Sequence, residues 1–229
     1  MAAPQVSCGA VWSLEQIGNL KKLIESEGLI WSIAHKLTVN GTVGNGGQNT
    51  DKVIANVIES LANLGEANIT TVCYDFSASD NLCNNTNRLQ EVKENIKYFL
   101  TQLMPVCEEY NIHISYTPEY ESSIPELERI LNSVDNPYNG FTFNINTGNK
   151  IFDFDPKFIR NYISRMQLLQ INCTQFDSGK QLILNNLVKM IEKENPSLPV
   201  LLEFSSPQQA ENIIVALRKC GFPIPDNEP

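Results

Sequence analysis

Two kinds of hydrophobic period alternate along the chain. Short apolar runs rich in Ile, Val and aromatic residues fall at Leu29–Ile33, Ile69–Phe76, Ile112–Tyr116, Gly140–Ile145, Gln167–Ile171 and Val200–Phe204. Runs of this length and composition predict strands buried on both faces. Between them lie amphipathic stretches. Ser13-Leu14-Glu15-Gln16 is a capping box that opens a helix with Ile17, Leu20 and Ile24 on one face. Further helices are predicted at Asp51–Leu64, at Leu89–Tyr110 with Pro105 bending its last turns, at Ile124–Leu131, Pro156–Met166 and Lys180–Glu194, and at Pro207–Cys220 before the stop at Gly221. Strands that alternate with helices imply βα units and a parallel sheet. Two architectures fit, a (β/α) barrel and an open doubly wound sheet. The glycine-rich stretch Gly41-Thr42-Val43-Gly44-Asn45-Gly46-Gly47 follows the first strand, but its spacing matches neither the dinucleotide fingerprint nor the P-loop. It reads as a mobile loop. No Pro- or Gly-rich linker divides the chain, so residues 1–229 are expected to form one domain.

Composition narrows the partners. The 229 residues carry 17 basic and 26 acidic side chains, a net charge of −9, without a Lys/Arg cluster. That excludes nucleic acid as an expected partner. No apolar run reaches the roughly 18 residues of a membrane span, and Met1–Gln5 has neither the basic nor the apolar region of a secretory signal. The expectation is a cytoplasmic protein that does not engage membranes. Its six cysteines are then read as free thiols rather than three disulfides. No Cys-x-x-Cys or Cys-x-x-His pair supports structural zinc, and the sequons at Asn40, Asn68, Asn84 and Asn172 are attributed to chance in an Asn-rich chain.

In βα folds chemistry gathers at the C-terminal ends of the strands. The polar residues expected there are His35, Asp75, Thr117, Glu119, Asn144, Asn146, Gln170, Asn172 and Glu203. Amides, carboxylates and an imidazole can hold a polyhydroxylated ligand by hydrogen bonds, or a hard divalent ion through oxygen. Asn and Asp also end strands simply because they favour turns. His113, inside the third strand, is assigned a structural or exposed role.

Several segments, taken in order, carry a resemblance. Gly9-Ala10-Val11-Trp12-Ser13-Leu14-Glu15-Gln16-Ile17 is similar to the G-E-V-W-P-L-E-E-I of mannonate dehydratases. Glu27–Ile33 resembles their A-G-L-x-W-S-V, Val72-Cys73-Tyr74-Asp75-Phe76 their V-C-Y-N-F, and Asn139-Gly140-Phe141-Thr142-Phe143 their N-G-L-T-F. Glu94–Leu100 with Pro105–Tyr110 resembles the helix before their fifth barrel strand. The resemblance implies an α/β, xylose-isomerase-like TIM barrel, here incomplete with about six βα units and beginning after the position of the family's second strand. It also implies a metal-dependent lyase, using Mn²⁺ or Fe²⁺ to dehydrate D-mannonate to 2-keto-3-deoxy-D-gluconate in hexuronate catabolism.

The family's metal ligands are a His in H-P-D-D, a Cys in T-F-C-T-G, a His in V-H-L-R-N and an Asp in R-P-D-H-G. In this sequence the first three positions read Thr117, Asn144 and Gln170; the Arg beside the second His reads Asn172, and only Glu203 can stand for the Asp. Amide and hydroxyl oxygens bind Mn²⁺ or Fe²⁺ far more weakly than imidazole or thiolate. No cofactor is therefore assigned, and a pseudoenzyme is expected. It would bind a small sugar or sugar acid through His35, Asp75, Glu119, Asn144, Asn146 and Asn172, with no catalytic residue assigned. Two alternatives stand beside it. One is a metal-dependent sugar isomerase or epimerase with a site rebuilt from Asp75, Glu119 and Glu203. The other is a non-catalytic binding protein, and exposed strand edges would let copies of the chain pair.

Overall fold

A computed structural model describes residues 9–39, 43, 46, 49–76, 86–117, 124–145, 156–172, 178–204 and 206–219. The elements alternate as α1 (Leu14–Ser26), β1 (Ile33–Val39), α2 (Thr50–Glu66), β2 (Thr71–Phe76), α3 (Thr86–Tyr110), β3 (His113–Tyr116), α4 (Ile124–Ser133), β4 (Asn139–Ile145), α5 (Pro156–Tyr162), a 3₁₀ turn (Ile163–Arg165), β5 (Met166–Asn172), α6 (Ser178–Glu194), β6 (Val200–Glu203) and α7 (Pro207–Lys219). The strands follow chain order in the sheet. The pairings β1–β2, β2–β3, β3–β4 and β5–β6 are parallel. A doubly wound sheet reverses its order at a switch point; this one does not, and the fold is TIM-barrel-like, with six strands among the described residues. The chain clusters into two compact units, Met1–Phe141 and Thr142–Pro229.

In the first unit, three helices leave by the same device. Gly28, Asn68 and Asn111 follow α1, α2 and α3 with φ of 74°, 60° and 52°. Each begins a Schellman turn: Gly28 N–H donates to Glu25 and Leu29 N–H to Ile24, Asn68 to Gly65 and Ile69 to Leu64, Asn111 to Glu108 and Ile112 to Cys107. Ile69 and Ile112 are fully buried and lead straight into strands, whereas Leu29 is 62% and Ile30 89% exposed. This corrects the expected first strand. The segment Leu29–Ile33 is largely a helix exit, and β1 runs from Ile33 to Val39.

The capping box at Ser13 is formed, with Ser13 Oγ accepting from Gln16 N–H at 3.3 Å and Gln16 Oε1 accepting from Ser13 N–H at 3.1 Å. The segment before it is fastened to one face of α2. Asn56 Nδ2 donates to the Gly9 carbonyl at 2.8 Å, Trp12 N–H to Ser60 Oγ at 2.9 Å, and Asn63 Nδ2 to the Trp12 carbonyl at 2.9 Å. These residues recur at helical spacing, so the Gly9–Ile17 segment that resembles the family serves the scaffold. On α2, Val53, Ile54, Val57, Leu61 and Leu64 are buried.

The helix α3 continues through Pro105 to Tyr110. Tyr74 lies 5.6 Å from Tyr116 and 6.4 Å from Phe99 of α3, ring centre to ring centre, so this side of β2 and β3 faces the helices. At the other strand end, His113 is half-buried, stacks on Tyr138 with ring centres 5.0 Å apart, and sets Nδ1 3.3 Å from the Pro137 carbonyl. Burial lowers its pKa, with the hydrogen bond opposing. It is a structural residue.

In the second unit, Phe158, Ile159, Ile163, Leu168, Leu169 and Ile171 are buried. The expected helix Pro156–Met166 is shorter than predicted. It tightens into a 3₁₀ turn at Ile163, and Met166 opens β5. Asn195, just past α6, ties this junction by donating from Nδ2 to the Met166 carbonyl at 3.0 Å. Among the described residues no helix is long and apolar enough to cross a membrane.

The α2–α3 approach depends on Gly65, where a Cβ would meet Tyr110 Cβ at 2.5 Å. In an exposed helix Gly→Ala stabilises; here Gly65→Ala is expected to destabilise by about 1–3 kcal/mol through overpacking. A thermal melt checks this, and an unchanged or raised Tm would contradict it.

Candidate functional site

Residues paired in a parallel ladder face the same side, and residues two apart on one strand share that side. In the first unit His35 pairs with Cys73, Cys73 with Ser115 and Ser115 with Gly140. The β1–β2 register shifts between His35 and Leu37, after which Leu37 pairs with Tyr74 and Thr38 with Asp75. Lys36 is the extra residue of the bulge. Tyr74 and Tyr116 face the helices. The opposite side of the sheet therefore carries a polar stripe of His35, Cys73, Asp75 and Ser115. Cys73 and Ser115 are fully buried, Asp75 nearly so, and His35 partly. His35 was expected at a strand end and instead sits inside β1, because the strand begins later. Thr117 follows β3, is half-buried, and extends the ladder by donating its N–H to the Tyr74 carbonyl at 2.8 Å.

In the second unit the strands β4, β5 and β6 bring Asn144, Gln170 and Glu203 into consideration together. Gln170 is 5% exposed, and Asn144 and Glu203 are partly exposed. Asn172 lies opposite Glu203 in the β5–β6 ladder, and Gln170 is two residues earlier on the same side. Gln170 Nε2 donates to Glu203 Oε1 at 2.7 Å. This contact settles the orientation of the amide. A carboxylate offers only acceptors, so the nitrogen must face it and Oε1 must point away. Gln170 Oε1 and Asn144 Oδ1 are buried acceptors that find no hydrogen-bond partner among the described residues. An unsatisfied buried acceptor costs about 1–3 kcal/mol.

Glu119, Asn146 and most of the Gly41–Gly47 loop lie outside the described residues. Of the expected carboxylate set, Asp75 belongs to the first unit and Glu203 to the second. Among the described residues no three His, Cys, Asp or Glu side chains gather in a group able to hold a metal ion. Cys73 and Cys107 are buried thiols that form no disulfide among the described residues, and burial, with the Glu108 charge second, pushes Cys107 up to about 12, so it stays protonated at neutral pH. The sequence reading missed Cys73 and Ser115 as members of the polar stripe, although strand alternation carried the signal for both.

The first 88 residues match the profile of a family described as D-mannonate dehydratase (UxuA). A mannonate dehydratase of Oceanobacillus iheyensis is 45% identical over 71 residues, 31% of this chain and 20% of that protein. Another, from Thermotoga petrophila, is 24% identical over 209 residues, covering 60% of this chain and 58% of that protein. The crystal structure of mannonate dehydratase from Streptococcus suis superposes with a TM-score of 0.70 at 18% identity, over 98% of this chain and 88% of that one.

The chain is similar to mannonate dehydratases in its first 88 residues and, more loosely, over most of its length. It spans under three-fifths of the length of the Oceanobacillus and Thermotoga relatives. A D-tagatose 3-epimerase-like protein also superposes, with a TM-score of 0.65 at 16% identity over 91% of this chain and 85% of that one; this likeness is one of fold alone.

At the positions where the family resemblance implies ligands, this chain has an amide at Asn144, an amide at Gln170 and a carboxylate at Glu203, the last two joined to each other. The donor set does not fit a His/Cys/His/Asp centre for Mn²⁺ or Fe²⁺. The Gln170–Glu203 contact should appear in a double-mutant cycle of Gln170→Leu and Glu203→Leu. Chemical denaturation is expected to give a coupling of about 1.5–3 kcal/mol, as for a hydrogen bond to a charged group; additive effects would contradict the contact.

Proposed function

We propose that this chain is a mannonate-dehydratase-like protein that binds a small sugar or sugar acid and turns D-mannonate over weakly or not at all. The observation that carries this reading is the Gln170–Glu203 hydrogen bond at 2.7 Å. In the family the first position supplies an imidazole lone pair and the second a carboxylate, both to one cation. Here the first supplies an N–H, and that N–H is directed at the carboxylate. A cation would have to break this hydrogen bond and would gain amide oxygen in place of imidazole nitrogen, the weaker ligand for Mn²⁺ or Fe²⁺. At Asn144 the thiolate position is likewise an amide. Metal-assisted dehydration needs a Lewis acid to polarise the leaving oxygen, and these three side chains offer it poor anchorage.

What the residues retain is the capacity to orient hydroxyl groups. The buried amide carbonyls of Asn144 and Gln170, without a hydrogen-bond partner among the described residues, are acceptors of the kind a hydroxyl group satisfies. β1 and β6 each have one neighbour in the sheet order, so pairing of two copies along an edge is the assembly this reading favours.

The test is a steady-state assay of the purified chain on D-mannonate with excess Mn²⁺, following formation of the 2-keto acid. Turnover is expected well below the ordinary enzymatic range of about 1–10³ s⁻¹. A rate within that range would overturn the proposal.

A further inference from the structure

We infer that the exposed stripe Glu211, Val215 and Lys219 of α7 is where a second copy of this chain docks, the two α7 helices lying antiparallel about a two-fold axis at Val215. The contact rests on the pairing of copies favoured above and chooses the end of the sheet at which they meet. It is independent of the ligand the chain binds.

The sequence of α7 sets the pattern. Residues four apart on a helix lie on one face, so Glu211, Val215 and Lys219 fall in one row, acidic at the N-terminal end, apolar in the middle and basic at the C-terminal end. All three are exposed, Val215 at 49%, while Leu217 is buried on the other side of the helix. Gln208 Nε2 donates to Glu211 Oε2 at 3.2 Å, a neutral partner that leaves the carboxylate its charge. The helix macrodipole favours the same charges at the same ends, but it gives no reason for an exposed apolar side chain between them. In the second unit the large hydrophobic side chains left exposed among the described residues are Phe204 and Val215, and both lie in the last βα unit. β6 itself is half-buried along its whole length, and among the described residues β5 is its one strand neighbour.

A row of this kind is complementary to itself. A two-fold axis requires the same patch on both copies, with residue i against j and j against i. Antiparallel helices that cross at Val215 bring Glu211 of each copy to Lys219 of the other, two ion pairs about an apolar centre. The same helices laid parallel would set Glu211 against Glu211 and Lys219 against Lys219, which opposes association. Four residues of helix rise about 6 Å, so both charged pairs stay close to the crossing point when the axes lie about 8–10 Å apart. A chain of net charge −9 repels its own copies in general, and a patch that carries both signs in mirrored order relieves that repulsion. The β1 end of the sheet also has apolar surface, at Leu23, Leu29 and Ile30. There the residues four before and four after Leu23 are Asn19 and Glu27, a row without opposite charges to match. β1 also carries a bulge at Lys36, a device that turns an edge away from pairing.

Sedimentation velocity on the full chain tests this. At low salt the chain is expected to pass from monomer to dimer between about 5 and 200 μM, the range of a small transient interface. The dimer should weaken several-fold at about 0.5 M salt as the ion pairs are screened. Val215→Glu sets two further carboxylates at the axis and is expected to weaken dimerisation at least about tenfold. Lys219→Glu and Glu211→Lys should each weaken it by about two- to tenfold. The double variant should restore it, because the exchanged charges are again complementary. These positions are exposed, where substitutions leave the fold intact. Ile30→Glu, at the β1 end, should leave the dimer unchanged. A monomer throughout the concentration range would overturn both this inference and the pairing of copies it rests on. A dimer untouched by Val215→Glu, a double variant no better than the single ones, or dissociation by Ile30→Glu would overturn the assignment to α7 alone and leave the pairing of copies standing.

Discussion

Parallel register is the constraint on which this molecule depends. Once β1, β2 and β3 pair in step, every second residue is committed to the helices and every other one to the opposite side. Leu37, Tyr74 and Tyr116 go to the helix side, and His35, Cys73, Asp75 and Ser115 to the other. The same rule puts Gln170 and Glu203 on one side of β5 and β6. A slip of one residue would reverse every assignment. The devices that hold register are local: a left-handed residue after each of the first three helices, and a bulge at Lys36 that absorbs the one extra residue in β1.

The framework and the site have diverged separately. The segment Gly9–Ser13 is held by Asn56, Ser60 and Asn63 through ordinary hydrogen bonds, and it lies within the region that matches the D-mannonate dehydratase profile. A scaffold built this way can persist while strand-end residues change, since packing and capping do not ask what chemistry the far side of the sheet performs. Where the family resemblance implies an imidazole, Gln170 is a planar amide whose orientation Glu203 fixes.

Much of the fold was legible because its strands are short, strongly apolar and well separated. β2 to β6 fall close to where hydrophobic runs placed them, and Ser13, Gly28 and Asn111 are helix punctuation that sequence displays openly. The misplaced first strand has a clear cause. Gly28-Leu29-Ile30 looks apolar, but after the turn at Gly28 the chain leaves Leu29 and Ile30 in solvent, while the same turn at Asn68 buries Ile69. Nothing local distinguishes the two. At the site, Asn144, Gln170 and Glu203 could be named from strand ends and from the family motifs. The pairing of Gln170 with Glu203 could not, because that hydrogen bond joins residues 33 apart and depends on the β5–β6 register.

The account turns on one claim, that the positions of the family's metal ligands have become a hydrogen-bonded amide–carboxylate pair. Metal content measures it most directly. The full chain, loaded anaerobically with excess Mn²⁺ and separately with Fe²⁺ and then exchanged into metal-free buffer, is analysed by elemental mass spectrometry. The account predicts far less than one metal per chain in both cases, and one equivalent of either metal retained through the exchange would contradict it.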